Sequence, residues 1–342
     1  MQAVAYQKSL PISDPDSLQD VTLPDPEPQG RELLVEVRAV SANPIDTKVR
    51  RRAEPPPGEW KVLGWDATGI VRAVGPEASL FRPGDRVWYA GSLLRPGSNA
   101  ELQCVDERIV GPMPERLDFA QAAALPLTSI TAWELLFDRL GLQEGGHQGQ
   151  TLLIIGAAGG VGSILTQLAR QLTGITVIGT ASRPHTLAWV EDMGAHHVID
   201  HSRPLGEELR RLGIPQVDYV ASLTHTDEHF SEIAEIIAPQ GRFGLIDDPA
   251  NLDILLLKKK SVSLHWESMF TRSLFSTPDM IAQHQLLTRL ARLVDAGRLR
   301  STCAEHFGTI NATHLKRAHA LLESGKARGK IVLEGFGQPP TH

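Results

Sequence analysis

Hydrophobic and polar residues alternate over short stretches in the first 125 residues, a spacing that predicts strands with one buried face. Proline clusters at residues 24–28 and 55–57 separate these stretches and exclude central strands there. Short strands with glycine and proline between them are typical of a small barrel-like β domain. The predicted strands lie at residues 2–6, 32–42, 64–75 and 84–90.

The pattern changes near residue 117, where continuous runs of Val, Ile and Leu begin to alternate with segments of helical spacing. Strands buried on both faces of a parallel sheet have such runs, and helices join them. The order predicts an α/β fold with a doubly wound sheet. We place strands at residues 152–155, 177–180, 197–200, 217–222, 242–246 and 261–266, with helices between them and longer helices at 128–140 and 278–296.

The last part of the chain again has the short strand pattern of the first domain. A strand at 303–307, a helix at 313–324 and a strand at 330–334 are expected to fold back onto the first domain. We therefore predict a discontinuous β-rich domain, residues 1–126 completed by 300–337, and a doubly wound domain over 127–299.

A glycine-rich turn follows the first strand of the doubly wound domain and reads GAAGGVG. Glycine lets the backbone approach a diphosphate, and the amides at the start of the next helix attract the anion. Ala157 takes the first place of the usual GxGxxG pattern, but the strand–turn–helix context is the one that a dinucleotide site requires. The predicted contacts are Gly156, Ala158, Gly159, Gly160, Val161 and Gly162.

The end of the second strand indicates which nicotinamide binds. An NAD site normally has Asp or Glu here for the ribose hydroxyls, whereas this chain has Ser182 followed by Arg183. A hydroxyl and a cation suit a 2′-phosphate, so we predict NADPH. Arg183 could instead merely begin the next helix. Because ligands bind at the carboxyl ends of parallel strands, we also predict contacts from Ser222, Leu223, Ile246, Asp247 and Trp266.

Composition excludes several other classes. The 342 residues are 42% hydrophobic and 22% charged, with a net charge of −6. No long run of basic residues is present, which argues against nucleic-acid binding. Polar residues scattered through 152–169 argue against a membrane span. Cys104 and Cys303 are too few for a disulfide framework. The first residues lack a basic segment followed by an apolar core, so we expect no secretory signal and a cytoplasmic protein.

Several motifs, in order, resemble the medium-chain dehydrogenase/reductase superfamily, and most closely its quinone oxidoreductase-like branch, whose members are often called zinc-type alcohol dehydrogenase-like. They are NPIDTK (43–48), GWDATG (64–69), FRPGDRV (81–87), LPLTSITAWELL (125–136) and the glycine turn. The resemblance implies a GroES-like catalytic domain, a Rossmann domain, an active cleft between them, and a dimer or tetramer joined through the edge of the Rossmann sheet.

The chain departs from the zinc-containing members of that superfamily at every ligand position. The first cysteine position falls within residues 43–46, the His-Glu pair reads Trp65-Asp66, and the later cysteine region reads residues 125–127, LPL. Zinc requires three or four suitably spaced nitrogen or sulfur donors, and we therefore predict no metal. The four-cysteine structural lobe is also absent from the sequence.

Without a Lewis acid, hydride transfer from NADPH to a quinone or an α,β-unsaturated carbonyl is the favoured reaction. Zinc-type alcohol dehydrogenase activity and NADPH binding without turnover remain alternatives. The resemblance places Asn43 and Thr128 near the nicotinamide or substrate, and suggests Lys330 as a phosphate contact unless it is an exposed edge residue. Asp46 and Tyr89 are further catalytic candidates, Tyr89 as a proton donor. Asn43, Asp46 and Thr128 could equally be loop or helix caps.

Overall fold

The computed structural model describes residues 1–337. The chain divides into two compact units, which are described separately: unit 1 is Met1–Ile130 with the chain from Phe270 onward, and unit 2 is Thr131–Met269. The strands are β1 (Gln2–Tyr6), β2 (Gln19–Thr22), β3 (Glu32–Ala42), β4 (Lys61–Val62), β5 (Ala67–Val74), β6 (Arg86–Tyr89), β7 (Leu102–Asp106), β8 (Val110–Pro112), β9 (Thr151–Ile155), β10 (Thr176–Thr180), β11 (His197–Ile199), β12 (Val217–Ser222), β13 (Ile237–Leu245), β14 (Ser263–Trp266), β15 (Cys303–His306) and β16 (Lys330–Glu334).

The α-helices are α1 (Pro44–Arg52), α2 (Phe119–Ala123), α3 (Pro126–Trp133), α4 (Gly160–Leu172), α5 (Pro184–Asp192), α6 (Leu205–Arg211), α7 (Thr226–Ile236), α8 (Leu255–Lys258), α9 (Thr271–Phe275), α10 (Ile281–Asp295) and α11 (Ala312–Glu323). Unit 1 therefore combines the β-rich first part of the chain with helices and strands from its end.

Unit 1 is built around β3. Its residues alternate between half-buried and buried positions from Glu32 to Ala39, which is the pattern of a strand with one face in the core. One edge of β3 pairs antiparallel with β5, and the other pairs with β7 over its first half and with β16 over its second half. The strand order of this sheet is β15-β16-β3-β5-β6-β8, and a separate sheet has the order β2-β1-β4. The last strand of the chain thus completes the sheet of the first.

The long helix α10 belongs to unit 1, whereas we expected residues 278–296 in the doubly wound domain. Its apolar face, which includes Leu286, Leu287 and Leu290, is buried. His284 contacts the Val110 carbonyl on β8 through its Nδ1, at 2.6 Å. The helix follows the last strand of the Rossmann sheet in the sequence, but the apolar surface that it covers lies on the β-rich unit.

Unit 2 is a six-stranded parallel sheet of order β11-β10-β9-β12-β13-β14. This order reverses direction at β9, as expected for a Rossmann fold, and ligands bind beside the carboxyl end of the strand where the order reverses. Strands β9 and β12 are buried almost throughout, because helices cover both faces of the sheet. The doubly wound fold predicted from the sequence is confirmed.

The helix that leads into unit 2 changes its hydrogen-bond pattern a few residues after it enters that unit. Helix α3 continues as a π-helical turn, Glu134–Arg139. The N–H of Leu140 accordingly donates to the Leu135 carbonyl at 2.9 Å. Glu134 is buried on this turn, and Arg139 pairs with the buried Glu267 at 2.9 Å. No helix within residues 1–337 is long and apolar enough to cross a bilayer.

The interior of unit 1 also holds His319, a fully buried residue of α11. Neither ring nitrogen has a hydrogen-bond partner among the described residues. Burial, with a further contribution from the Arg50 guanidinium, lowers the pKa of His319 to about 3. The folded protein therefore holds this imidazole neutral, while the unfolded chain protonates it below about pH 6.5.

We predict that the free energy of unfolding falls less steeply in acid for His319→Leu than for wild type. Between pH 6.5 and 3 the unfolded state binds one more proton at this site, so stability falls as pH falls, by up to about 1.4 kcal/mol per pH unit. Urea unfolding at pH 6.5 and 4.5 gives the change in the free energy of unfolding between these pH values. This change should be roughly 2 kcal/mol smaller for the variant than for wild type. His306→Gln, at a half-exposed position, is the control. An unchanged difference in His319→Leu contradicts the assignment.

Candidate functional site

Unit 1 contains a cluster of four buried polar residues, Asn43, Asp46, Asp66 and Lys330, here called the polar cluster. Asn43 precedes α1 and Asp46 lies in its first turn. Asp66 immediately precedes β5, and Lys330 begins β16. The pairing of β3 with both β5 and β16 places these segments side by side. Residues far apart in the sequence thus meet at one point.

The ammonium group of Lys330 is the positive charge of the polar cluster. It donates to the Ala42 carbonyl at 2.8 Å and to Asn43 Oδ1, and it lies 3.1 Å from Asp66 Oδ2. Lys330 is 3% exposed, so it is not the edge lysine that we considered. Because three oxygens already take its three protons, the described geometry leaves no donor for the cofactor phosphate that we predicted at Lys330.

Asp66 and Asn43 complete the hydrogen bonding of the cluster. The Asp66 carboxylate accepts from the Leu127 N–H at 2.9 Å and from Asn43 Nδ2 at 3.0 Å. The second proton of Asn43 Nδ2 goes to the Ser41 carbonyl at 3.2 Å. Burial raises the pKa of Asp66 and lowers that of Lys330, and the ion pair between them opposes both shifts. The amide of Asn43 is consequently held by protein groups on both of its ends.

Asp46 differs from its neighbours in retaining an oxygen without a hydrogen-bond partner. Its Oδ2 accepts from the Asn43 backbone N–H at 2.6 Å, so the residue does cap α1. Its buried Oδ1 has no such partner among the described residues. Burial raises the pKa of Asp46 to about 7, and the charge of Asp66 adds to the shift, while the backbone amides of Asn43 and Gly64 and the Lys330 ammonium oppose it. A substantial fraction of Asp46 therefore carries a proton at neutral pH.

The two remaining catalytic candidates have their hydroxyl groups directed to protein acceptors. Tyr89 is fully buried on β6 and donates to Gln103 Oε1 at 2.8 Å, and burial raises the pKa of its phenol. Thr128 lies in the first turns of α3 and donates to the Leu125 carbonyl at 3.2 Å. Neither hydroxyl approaches the polar cluster through a described hydrogen bond.

The polar cluster does not fit a zinc ion. The residues at the positions implied by the resemblance supply two carboxylates, Asp46 and Asp66, and Lys330 brings a cation against one of them. Within residues 1–337 no group of three or more His, Cys, Asp or Glu side chains is arranged to hold a metal. Zinc sites need three or four nitrogen, sulfur or carboxylate ligands around the ion.

The glycine turn of unit 2 fits a diphosphate. Gly156 has a φ of +81°, and a Cβ on Gly162 would lie 2.4 Å from the Gly156 carbonyl oxygen, so the fold itself requires both glycines. Gly159 is different. It is the N-cap of α4 in an extended conformation, and its nearest atom would be 3.5 Å from an added Cβ. Packing does not require glycine at 159, and the open backbone there is where an anion would approach.

The remaining predicted cofactor residues lie beyond the carboxyl ends of the strands. Ser182 is exposed, and Arg183 precedes α5, where its backbone N–H donates to Thr186 Oγ1 at 3.2 Å. Gly160 and Val161 begin α4, and Ala158 lies in the glycine turn. Leu223 and Ile246 donate backbone N–H groups to Ile155 and Ser222 carbonyls, and Trp266 is 56% exposed at the end of β14.

Ser222 and Asp247 are connected through a residue that sequence analysis missed. The hydroxyls of Thr226 and Ser222 are hydrogen-bonded to each other at 2.7 Å, and the backbone N–H of Thr226 donates to Asp247 Oδ2 at 3.0 Å. Asp247 thereby caps α7. Thr180 was also missed, although its hydroxyl accepts from the Gly156 N–H at 3.1 Å and holds the glycine turn. Its position at the end of a strand was the available signal.

Known proteins match the chain over nearly its whole length. Family models described as alcohol dehydrogenase GroES-like domain and zinc-binding dehydrogenase match residues 29–115 and 193–333. A zinc-type alcohol dehydrogenase-like protein of Staphylococcus aureus is 38% identical and covers 97% of this chain and 99% of its own. A quinone oxidoreductase of Pseudomonas aeruginosa is 32% identical, with 90% of this chain and 92% of its own covered.

Solved structures agree with these matches. A protein from Rhizobium etli, provisionally described as a zinc-dependent alcohol dehydrogenase, superposes with a TM-score of 0.95 at 60% identity, covering 98% of each chain. The Escherichia coli quinone oxidoreductase complexed with NADPH gives a TM-score of 0.82 at 25% identity, covering 98% of this chain and 100% of its own. The chain belongs to the medium-chain dehydrogenase/reductase superfamily of oxidoreductases, with a GroES-like unit and a Rossmann-like unit.

Proposed function

We propose that this protein is an NADPH-dependent reductase of quinones or α,β-unsaturated carbonyls that uses no catalytic metal. The cofactor supplies a hydride when bound, and a proton from the protein or water completes the two-electron reduction. The observation that carries the proposal is the polar cluster, in which an internal ammonium–carboxylate pair and a protonatable Asp46 stand where a zinc enzyme has its ligands. Such a site can protonate an acceptor but cannot polarise an alcohol as a Lewis acid does.

The cofactor half of the proposal is supported by unit 2. The open backbone at Gly159 and the start of α4 would hold the diphosphate, and Ser182 with Arg183 would hold the 2′-phosphate. Arg183 brings a cation to the place where NAD sites normally have a carboxylate. Two of the similar structures, the E. coli quinone oxidoreductase and a mycobacterial protein, are complexes with NADPH. We therefore propose NADPH over NADH.

We predict that Gly159→Ala folds normally but binds NADPH at least about tenfold more weakly, because the added methyl occupies space that the ligand needs and the protein does not. Thermal unfolding and NADPH fluorescence titration measure the two effects. Gly162→Ala is the matched comparison, and should lose stability because its methyl meets the Gly156 carbonyl. Equal NADPH affinity in wild type and Gly159→Ala would remove the turn from the binding site.

The acceptor half of the proposal assigns the proton to Asp46. The side chains of Asn43 and Lys330 are fully engaged within the cluster, and the hydroxyls of Tyr89 and Thr128 donate elsewhere. Asp46 alone among the predicted catalytic residues combines an unpartnered oxygen with a pKa near neutrality. An acid with a pKa close to the working pH is best suited to proton transfer. Asn43 and Lys330 then act as positioning residues, which hold the acid and its surroundings.

The test is NADPH oxidation with a panel of quinones and enals, followed by absorbance. Wild type should turn over at least one acceptor class, and kcat should fall as pH rises through about 7, where Asp46 loses its proton. Asp46→Asn preserves the cap on α1 but cannot donate a proton as an acid, so kcat should drop roughly 10²-fold and the pH dependence should disappear. Tight NADPH binding with no turnover of any acceptor would instead favour a protein that binds NADPH without catalysis.

We further propose that two copies associate through the edge of the sheet in unit 2. Strand β14 is an edge strand, and Ile254 lines a cavity together with Leu264 and Trp266 of that strand. Ile254 is 58% exposed, the adjacent Leu255 71% and Trp266 56%. Unpaired strand edges with apolar neighbours favour pairing with another strand. Sedimentation equilibrium should give a dimer, and Leu255→Asp should give monomers. Leu94→Asp, at a 66% exposed leucine of unit 1, is the control. A monomeric wild type contradicts the proposal.

A further inference from the structure

Three histidines gather near the carboxyl ends of strands in unit 2. His201 follows β11, His225 precedes α7, and His229 lies in the first turns of α7. The rings of His201 and His229 meet edge to face, with centroids 6.2 Å apart. Nδ1 of His201 is buried and has no hydrogen-bond partner among the described residues. A buried ring nitrogen without a partner, next to a second imidazole, is a costly arrangement unless a ligand uses it.

The pair lies beside the residues that we assign to the 2′-phosphate. Strands β10 and β11 are parallel neighbours, and the N–H of Ala181 donates to the Ile199 carbonyl at 3.0 Å. The segments that leave these two strands, Ser182 with Arg183 and Asp200 with His201, therefore begin side by side. The positive charge of Arg183 also contributes to lowering the pKa of His201.

Charges of both signs surround His201, and Glu228 lies 3.1 Å from Nδ1 of the neighbouring His225. Burial lowers the pKa of His201, and His229, His225 and Arg183 lower it further, while Asp200 alone acts in the opposite direction. Asp200 itself accepts from Ser202 Oγ and N–H, at 2.7 and 2.9 Å, and lies near Arg203. Glu208 of α6 pairs with Arg203 and Arg211. Burial and these neighbours thus favour the neutral form of His201, and a dianion bound beside it would favour the protonated form.

We propose that His201 and His229 complete, with Ser182 and Arg183, the binding site for the 2′-phosphate of the cofactor, and that the pair takes up a proton when the phosphate binds. This inference rests on the proposed use of NADPH. It makes the preference for the phosphorylated cofactor dependent on pH, because the histidine pair then takes one proton from the solvent for each phosphate that binds. The affinity for ligands that carry the 2′-phosphate should rise as pH falls from 8 to 7, while the affinity for ligands without it should not.

Calorimetric titration with adenosine 2′,5′-bisphosphate and with 5′-AMP tests the proposal without catalysis. Titrations at pH 7.5 in buffers of different ionisation enthalpy give the number of protons taken up. At that pH the phosphates are almost entirely dianionic, so the uptake reports on the protein. Wild type should take up about half to one proton more with the bisphosphate than with AMP. His201→Gln and His229→Gln should lose this difference and bind the bisphosphate about five- to thirtyfold more weakly.

Two further variants make the result specific. His201→Lys supplies a permanent charge and should bind the bisphosphate well, with less proton uptake and a flatter dependence on pH. His306→Gln, in unit 1, should behave as wild type, and circular dichroism should show equal folding of all variants. Unchanged proton uptake in folded His201→Gln and His229→Gln overturns the inference. A wild type that binds the bisphosphate no more tightly than AMP overturns the proposed NADPH preference, and the inference with it.

Discussion

The ion pair between Lys330 and Asp66 is the interaction on which unit 1 depends most. Both side chains are buried, and Lys330 also reaches Asn43, which is 287 residues away in the sequence. Removing one partner of a buried pair leaves an uncompensated charge and costs about 3–5 kcal/mol. The pair therefore requires β16, from the end of the chain, to lie beside β3, whose opposite edge pairs with β5. The polar cluster can therefore form only when β16 has completed the sheet of the discontinuous unit.

The same pair restricts the chemistry of the cluster. In a zinc enzyme the positive charge at this place belongs to an exchangeable ion with an open coordination position. Here it belongs to a side chain whose three protons are already donated to oxygens of the protein. A cation bound in that way stabilises nearby negative charge electrostatically, but it cannot coordinate a substrate oxygen. The relatives described by zinc-containing names share the fold of this chain, and the donor set of this chain differs from that of a zinc site.

Much of the fold could be predicted from the sequence, because hydrophobic spacing reports burial directly. Strands β1, β3, β12 and β16 begin and end at the predicted residues. The short strand β7 and helix α1 were missed, since α1 has few apolar positions and a proline at its start. The assignment of α10 to unit 1 depends on which surface its apolar face covers, and an amphipathic pattern does not identify its partner.

The site was predictable in part. The motifs marked Asn43, Asp46 and the glycine turn, because these residues occur in recognisable local patterns. The burial of Lys330 was not predictable, since a lysine at the start of the strand KIVLE normally extends to solvent. The acceptor for the Tyr89 hydroxyl, Gln103, comes from the strand that was missed. Long-range pairing of polar side chains leaves no periodic signal in a single sequence, so the pairing of His201 with His229 was also missed.

Hydride transfer by protein from which metals have been removed tests the central claim most directly. The protein, with metal content verified after chelation, is incubated with NADPH that carries deuterium at the transferred position and an enal or enone acceptor. The account predicts that the deuterium appears on the β-carbon of the product, at the rate given by untreated protein. Loss of transfer on chelation, with recovery on addition of Zn²⁺, would contradict it.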